Sequence, residues 1–154
     1  MPGSIKINPA CPAPQKSTLC GVNRIIDANI NRSKEGLRVC EEIARFILNN
    51  RSLTAEFKRI RHNIDAIIKR LPPSILLLQE RDSLKDIGKK SSANELHRAD
   101  CRDIFCANIQ RLKESIRVLE EFSKLSDKKA ALGFKEIRYK IYAIEKKSLK
   151  KIAS

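Results

Sequence analysis

The stretch Ala28 to Glu42, ANINRSKEGLRVCEE, returns at Ala107 to Glu121 as ANIQRLKESIRVLEE, 79 residues later and identical at ten of fifteen positions. Unrelated segments of ordinary composition share about one position in fifteen. A second pair follows each copy. Phe57 to Ile67, FKRIRHNIDAI, matches Phe134 to Ile144, FKEIRYKIYAI, at an offset of 77 and with seven of eleven positions identical. The chain is two related halves.

On a helix of 3.6 residues per turn the apolar and polar positions of the repeat fall on opposite faces. Ile26, Ile30, Leu37, Cys40, Ala44 and Ile47 form one stripe, matched by Ile109, Leu112, Ile116 and Leu119. This stripe drifts between copies, Leu37 becoming Ile116 and Cys40 becoming Leu119, as core positions of similar volume can. The other face is repeated letter for letter: Ala28, Arg32, Glu35, Arg38, Val39 and Glu42. A solvated ladder of pairs such as Glu35 with Arg38 and Arg38 with Glu42 would account for charge on this face, at about 0.2–0.5 kcal/mol per pair. A ladder needs only charge, however, and Arg45 does drift to Lys124. Arg32, Arg38, Arg111 and Arg117 stay arginine. A guanidinium that grips a phosphate or carboxylate with two parallel bonds has no ammonium substitute, so these four are the candidate catalytic and phosphate-binding cations. Asn29 and Asn108 add an amide at the same point of each copy as candidate substrate ligands.

The 154 residues fit one domain of an all-α class: 5% aromatics, no Trp, 32% charged residues and apolar periodicity near 3.6. Met1 to Gly21 holds four of the six prolines and reads as a flexible leader, leaving 22–154 as a single helical domain. Asn23 is placed to cap a first helix near Arg24 to Leu48. A second is expected from Leu53 to Arg70, before Pro72 and Pro73. Ser92 and Glu95 have capping-box spacing for a helix running to Leu125, and a last helix covers Lys128 to Lys150. The expected fold is a helical bundle of two repeated hairpins, 24–70 and 103–147, related by a pseudo-twofold, with residues 71–102 as an inserted loop segment. The sequence leaves open whether the two polar faces share one groove.

The formal charge of +14 implies an anionic partner: nucleic acid, an acidic membrane surface or phosphorylated small molecules. Uncharged apolar runs such as Ile75 to Leu78 are far shorter than a membrane span, and no secretory segment follows Met1, so a cytoplasmic protein is expected. Five cysteines without a C-x-x-C pair suit a reducing compartment. Nucleic acid fits less well, because Glu35, Glu42, Glu114 and Glu121 share the arginine face and would repel a polyanion.

The linker stretch DIGKKSS, Asp86 to Ser92, lacks the first glycine of a Walker loop, since Ser83 stands there. Gly88 and Lys89 remain candidates to close over a phosphate, against the commoner role of a plain turn. Glu35, Glu42, Glu114, Glu121, Asp82 and Asp86 form the candidate pool of magnesium ligands. His62 and His97 have no partner at ligand spacing. His62 is matched by Tyr139 in the other copy, so packing or a hydrogen bond is expected of it rather than proton transfer. Gly36 inside a helix implies close approach of a backbone or a ligand.

Four motifs in order, RIIDANINRSKEGLRVCEEIARF, RDSLKDIG, ELHRADCRDIFCANIQRLKESIRVLEEFSKL and IRYKIYAIEKK, resemble the small helical hydroxymethylpyrimidine-phosphate kinases of thiamine biosynthesis, a domain often fused in front of thiamine-phosphate synthase. The resemblance covers Arg24 to Lys147. It implies transfer of the γ-phosphate of ATP to 4-amino-5-hydroxymethyl-2-methylpyrimidine phosphate, a reaction for which a divalent cation such as magnesium is expected to neutralise charge. Gln110 departs from it, standing where a basic residue is anticipated, so that position carries no essential charge. A chain of 154 residues leaves no room for a synthase barrel, so synthase activity is expected of the fusion partner. A second copy of the chain and a thiamine-phosphate synthase are the macromolecular partners left open, with a non-catalytic helical adaptor of such a synthase as the alternative function.

Overall fold

A computed structural model of the chain describes residues 16–154, whose regular elements are all helical. Helix α1 spans Lys16–Glu42 and continues through a π-helical turn at Ile43–Ile47. Helices α2 (Arg51–Ile68), α3 (Ser74–Gln79), α4 (Cys101–Ser123) and α5 (Lys128–Ile152) follow, with one 3₁₀ turn at Ala93–Leu96 before α4. Three side chains start the long helices by accepting orphan N–H groups. Asn50 accepts from the Leu53 N–H at 2.9 Å, Asp100 from Asp103 at 2.8 Å, and Asp127 from Lys129 and Ala130 at 2.9 and 3.1 Å.

The four long helices form a closed ring of contacts. α1 packs on α2 and α4, and α5 packs on α4 and α2, while the short α3 leans on α1. The stripes meet inside. Ile26, Leu37, Cys40, Phe57, Ile64, Phe105, Leu112, Ile116, Leu119, Phe134 and Ile141 are buried in one core, with Phe57 edge-on to Phe105 at 6.4 Å between ring centres. Burial pushes the Cys40 thiol up to about 12, with Glu145 and Cys106 adding to the shift, so at neutral pH it is a small apolar filler. Gly36 sits where α1 crosses α4: a Cβ there would lie 2.9 Å from the Asn108 carbonyl oxygen and 3.5 Å from the Leu112 nitrogen. The close approach is therefore that of a backbone.

Several expectations change. Of the leader, residues 1–15 lie outside the described residues, and 16–21 belong to α1, which starts eight residues before Arg24. Asn23 is thus inside the helix, and its amide donates to Glu80 at 3.2 Å instead of capping. The Ser92–Glu95 capping box forms but starts only the 3₁₀ turn, because His97 is extended and the Arg98 guanidinium takes the carbonyls of Glu95 and His97 at 3.3 and 2.7 Å. Asp100 then restarts the chain as α4. Ile47 is 59% exposed despite its place in the stripe. The π turn, closed by Leu48 N–H to Ile43 carbonyl at 3.0 Å, turns Phe46 and Ile47 out of the core register. His62, expected to pack or to form a hydrogen bond, is exposed on α2.

Candidate functional site

The repeated polar face splits into two functional layers. Towards the N-termini of the copies, Asn29, Arg32 and Glu35 of α1 face Asn108, Arg111 and Glu114 of α4 across a cavity of about 450 Å³, floored by Gly36 and Ser115 and edged by Glu95. The two faces do share one groove. Its size lies in the ordinary range for small-molecule sites.

Local bonding sets what the cavity offers. Asn29 donates its amide to the Ile25 carbonyl at 2.9 Å and Asn108 donates to the Ile104 carbonyl at 2.8 Å, the same i to i−4 bond in both copies. With the N–H₂ groups engaged, the amide oxygens remain as acceptors. Glu114 is tethered by Gln110, which donates to it at 2.8 Å, so the departure at Gln110 serves to orient a carboxylate. Arg32 and Arg111 are exposed. Two guanidiniums, two amide oxygens and three carboxylates, counting Glu95 at the edge, make a site for a small anion that also carries hydrogen-bond donors.

Arg38 and Arg117 lie outside this cavity. Arg117 donates to Glu120 at 2.9 Å and pairs with Glu121 at 3.0 Å, and Arg38 lies 3.7 Å from both Glu41 and Glu42. Each pairs with two carboxylates within the fold, Arg117 through both ends of its guanidinium fork and Arg38 through one nitrogen at longer range. Behind them, Glu120 takes Arg138 at 2.9 Å and Glu41 takes Arg61 at 3.3 Å, both carboxylates being almost fully buried. Glu120 pushes the Arg138 guanidinium further towards its charged form, with Tyr142 assisting. The Lys124 ammonium, helped by Arg117, holds Glu121 below the usual carboxylate range. Sequence reasoning passed over Glu41, Glu120, Arg61 and Arg138. The signal was present, since each is identical in both copies.

Among the described residues no three Asp, Glu, His or Cys side chains converge as a metal group. The six-acid pool is dispersed accordingly: Glu42 and Glu121 are in the arginine clamps, Glu114 is in the cavity, and Glu35, Asp82 and Asp86 line a second cleft beside it. Magnesium is commonly held by one or two carboxylates and the substrate's own phosphates. Asp82 and Asp86 fit that mode, each using one oxygen in a turn, from the Lys85 N–H at 3.3 Å and the Gly88 N–H at 2.8 Å. The latter bond, and the Lys89 N–H to Asp86 carbonyl at 3.3 Å, mean that the Gly88 and Lys89 amides are satisfied within the turn and not presented to an anion.

Residues 24–147 match the ThiD2 family. The chain belongs to the ThiD2 family. Curated relatives are a thiamine-phosphate synthase of Synechocystis, 38% identical over 85% of this chain and 37% of its own, and that of Rhodopirellula baltica, 42% identical over 79% and 32%. The thiamine-phosphate synthase of Nostoc punctiforme is 41% identical over 80% of this chain and 34% of its own. This ThiD2 chain thus spans about a third of the length of the relatives it matches, and their name is that of the enzyme to which the resembled kinases are fused. No solved structure matches significantly. No helix among the described residues is long and apolar enough to cross a membrane.

Proposed function

We propose that this ThiD2 chain acts in thiamine biosynthesis, transferring the γ-phosphate of ATP to 4-amino-5-hydroxymethyl-2-methylpyrimidine phosphate to give the diphosphate. The observation that carries the reading is the facing of Asn29, Arg32 and Glu35 on Asn108, Arg111 and Glu114 in one cavity. The acceptor molecule has what those groups seek: an exocyclic amine for a carboxylate or amide oxygen, and a phosphate for the two guanidiniums. Chemistry then requires little of the protein beyond position and charge. An oxygen of the acceptor's phosphate, already ionised near neutral pH because the second phosphate ionisation lies near pH ~6, forms a bond to the γ-phosphorus of ATP. The bond from that phosphorus to the β–γ bridging oxygen breaks, and ADP leaves with the electron pair. No proton need be removed, which suits a site without His or Cys. Arg32 and Arg111 orient the phosphates and neutralise charge on the oxygens. Asp82 and Asp86 would hold magnesium, which would supply positive charge against the phosphates.

The same reading relates the hairpins 24–70 and 103–147 by a rotation near a twofold. The matched bonds of Asn29 with Asn108, Arg38 with Arg117 and Arg61 with Arg138 support it. A second reading, a non-catalytic adaptor of a thiamine-phosphate synthase, draws on the names and lengths of the relatives. Purified chain mixed with ATP, magnesium and the pyrimidine phosphate distinguishes the two. Formation of ADP and the diphosphate, abolished by chelation and cut about tenfold or more by Arg32→Lys or Arg111→Lys without a change in melting temperature, supports the kinase. Absence of product makes the adaptor the better reading.

A further inference from the structure

Transfer between two small molecules needs two seats that meet at one phosphate. The cavity between α1 and α4 has such a neighbour: a cleft of about 430 Å³ between α1 and the linker, lined by Arg24, Arg32, Glu35, Arg81, Asp82 and Asp86 among others. Arg32 and Glu35 are the residues common to both.

The two seats differ in origin and in charge. The first is built from matching residues of the two copies. The second uses α1 and the linker, which occurs once in the chain, so the repeat supplies one such cleft and not two. The second copy also breaks the pattern at its edge: the position matching Arg24 is Asp103, and Asp103 accepts the Ala99 N–H at 3.2 Å as part of the α4 start. A polyphosphate finds a guanidinium at the first place and a carboxylate at the second. Arg81 is not free to bind a ligand, because it forms a two-bond pair with the buried Asp27 at 2.6 and 2.7 Å. That pair fixes the linker against α1 and so holds Asp82 and Asp86 at the cleft.

Resting on the kinase reading above, we infer that the nucleoside triphosphate binds in the α1–linker cleft, through Arg24 and Arg32 and with its magnesium on Asp82 and Asp86, while the acceptor occupies the α1–α4 cavity. The transferred phosphoryl group then passes beside Arg32. The first half and the linker bind the donor, and the second half contributes only to the acceptor site. Arg24 is a donor-site residue, Arg111 an acceptor-site residue, and Arg81 a positioning residue.

The test is equilibrium binding of a fluorescent ATP analogue with magnesium, and of the pyrimidine phosphate by calorimetry, to the full chain. Arg24→Ala is expected to weaken nucleotide binding by about tenfold and leave the pyrimidine phosphate unaffected, Arg111→Ala to do the reverse, and Arg32→Ala to weaken both. Arg24, Arg32 and Arg111 are all exposed, so the variants should fold. Replacing Asp82 and Asp86 together by Asn should raise several-fold the magnesium concentration needed for nucleotide binding. Nucleotide binding that is absent, that falls as much with Arg111→Ala as with Arg24→Ala, or that keeps its magnesium dependence in the Asn variant overturns the assignment. Turnover measured in parallel separates the two ideas. Turnover without the expected binding pattern refutes this inference alone, whereas the expected pattern without turnover refutes the kinase reading alone.

Discussion

Replacing Glu120 by Gln should be among the most damaging single changes of polar chemistry in this chain, although it alters one atom and no volume. Glu120 is 4% exposed and its two oxygens serve two guanidiniums, Arg117 at 2.9 Å and Arg138 at 2.9 and 3.4 Å. The neutral amide leaves Arg138 without its compensating charge and Arg117 with Glu121 alone, and presents an N–H₂ to donors. Removing one partner of a buried pair costs about 3–5 kcal/mol. The lower end applies here, because the Arg117 side chain is 52% exposed and can turn to water, whereas that of Arg138 is 15% exposed and cannot. About 3 kcal/mol lowers the melting temperature of a domain this size by about 6–12 °C. The matching change Glu41→Gln should cost less, since its contacts to Arg61 and Arg38 are longer, at 3.3 and 3.7 Å. Thermal unfolding followed by circular dichroism at neutral pH measures both. A Glu120→Gln variant melting within about 2 °C of the parent, or one that outlasts Glu41→Gln, would refute the reasoning that the clamps stabilise the bundle through buried charge.

Two further outcomes are expected. Gly36→Ala places a methyl 2.9 Å from a backbone carbonyl that cannot yield without moving α4; overpacking of about 1–3 kcal/mol should exceed the roughly 1 kcal/mol of helix propensity gained, so denaturant titration should show net loss of stability, together with weaker ligand binding as the cavity floor shifts. Asp127 accepts the Ala130 and Lys129 N–H groups and pairs with Arg70, which holds its carboxyl below the ordinary range. A carboxyl with a depressed folded pKa stabilises above its unfolded pKa and loses that contribution as pH falls through the folded one, so unfolding measured from pH ~5 downwards should show a smaller acid-induced drop in Asp127→Asn than in the parent.

The repeat made much of the protein legible before any coordinates. Two copies of one amphipathic pattern separate apolar from polar positions, so the core contributed by α1 and α4, from Ile26 and Leu37 to Ile116 and Leu119, follows from spacing, as does the helical class, with Ile47 the exception. The same comparison marked Asn29, Arg32 and Glu35 with their counterparts, because identity across copies registers any constraint. It cannot say which constraint. Arg32 and Arg38 are equally invariant and lie on the same helical face, yet one borders a cavity and the other spans Glu41 and Glu42. That difference depends on what α4, α2 and α5 bring alongside, which is a matter of distances between segments far apart in the chain. Helix boundaries escape the sequence for a local version of the same reason. Ser92 with Glu95 and Asp100 are all competent caps, and only the extended backbone at His97, held by Arg98, decides that α4 begins at the second. The sequence by itself determined an all-α chain in which one amphipathic pattern with an identical polar face is written twice, because periodicity and identity are properties of order. Tertiary structure alone decided that part of that face closes into clamps over the buried Glu41 and Glu120 and part opens into a shared cavity, because burial of a charge and the meeting of two helices at Gly36 exist only when the copies pack.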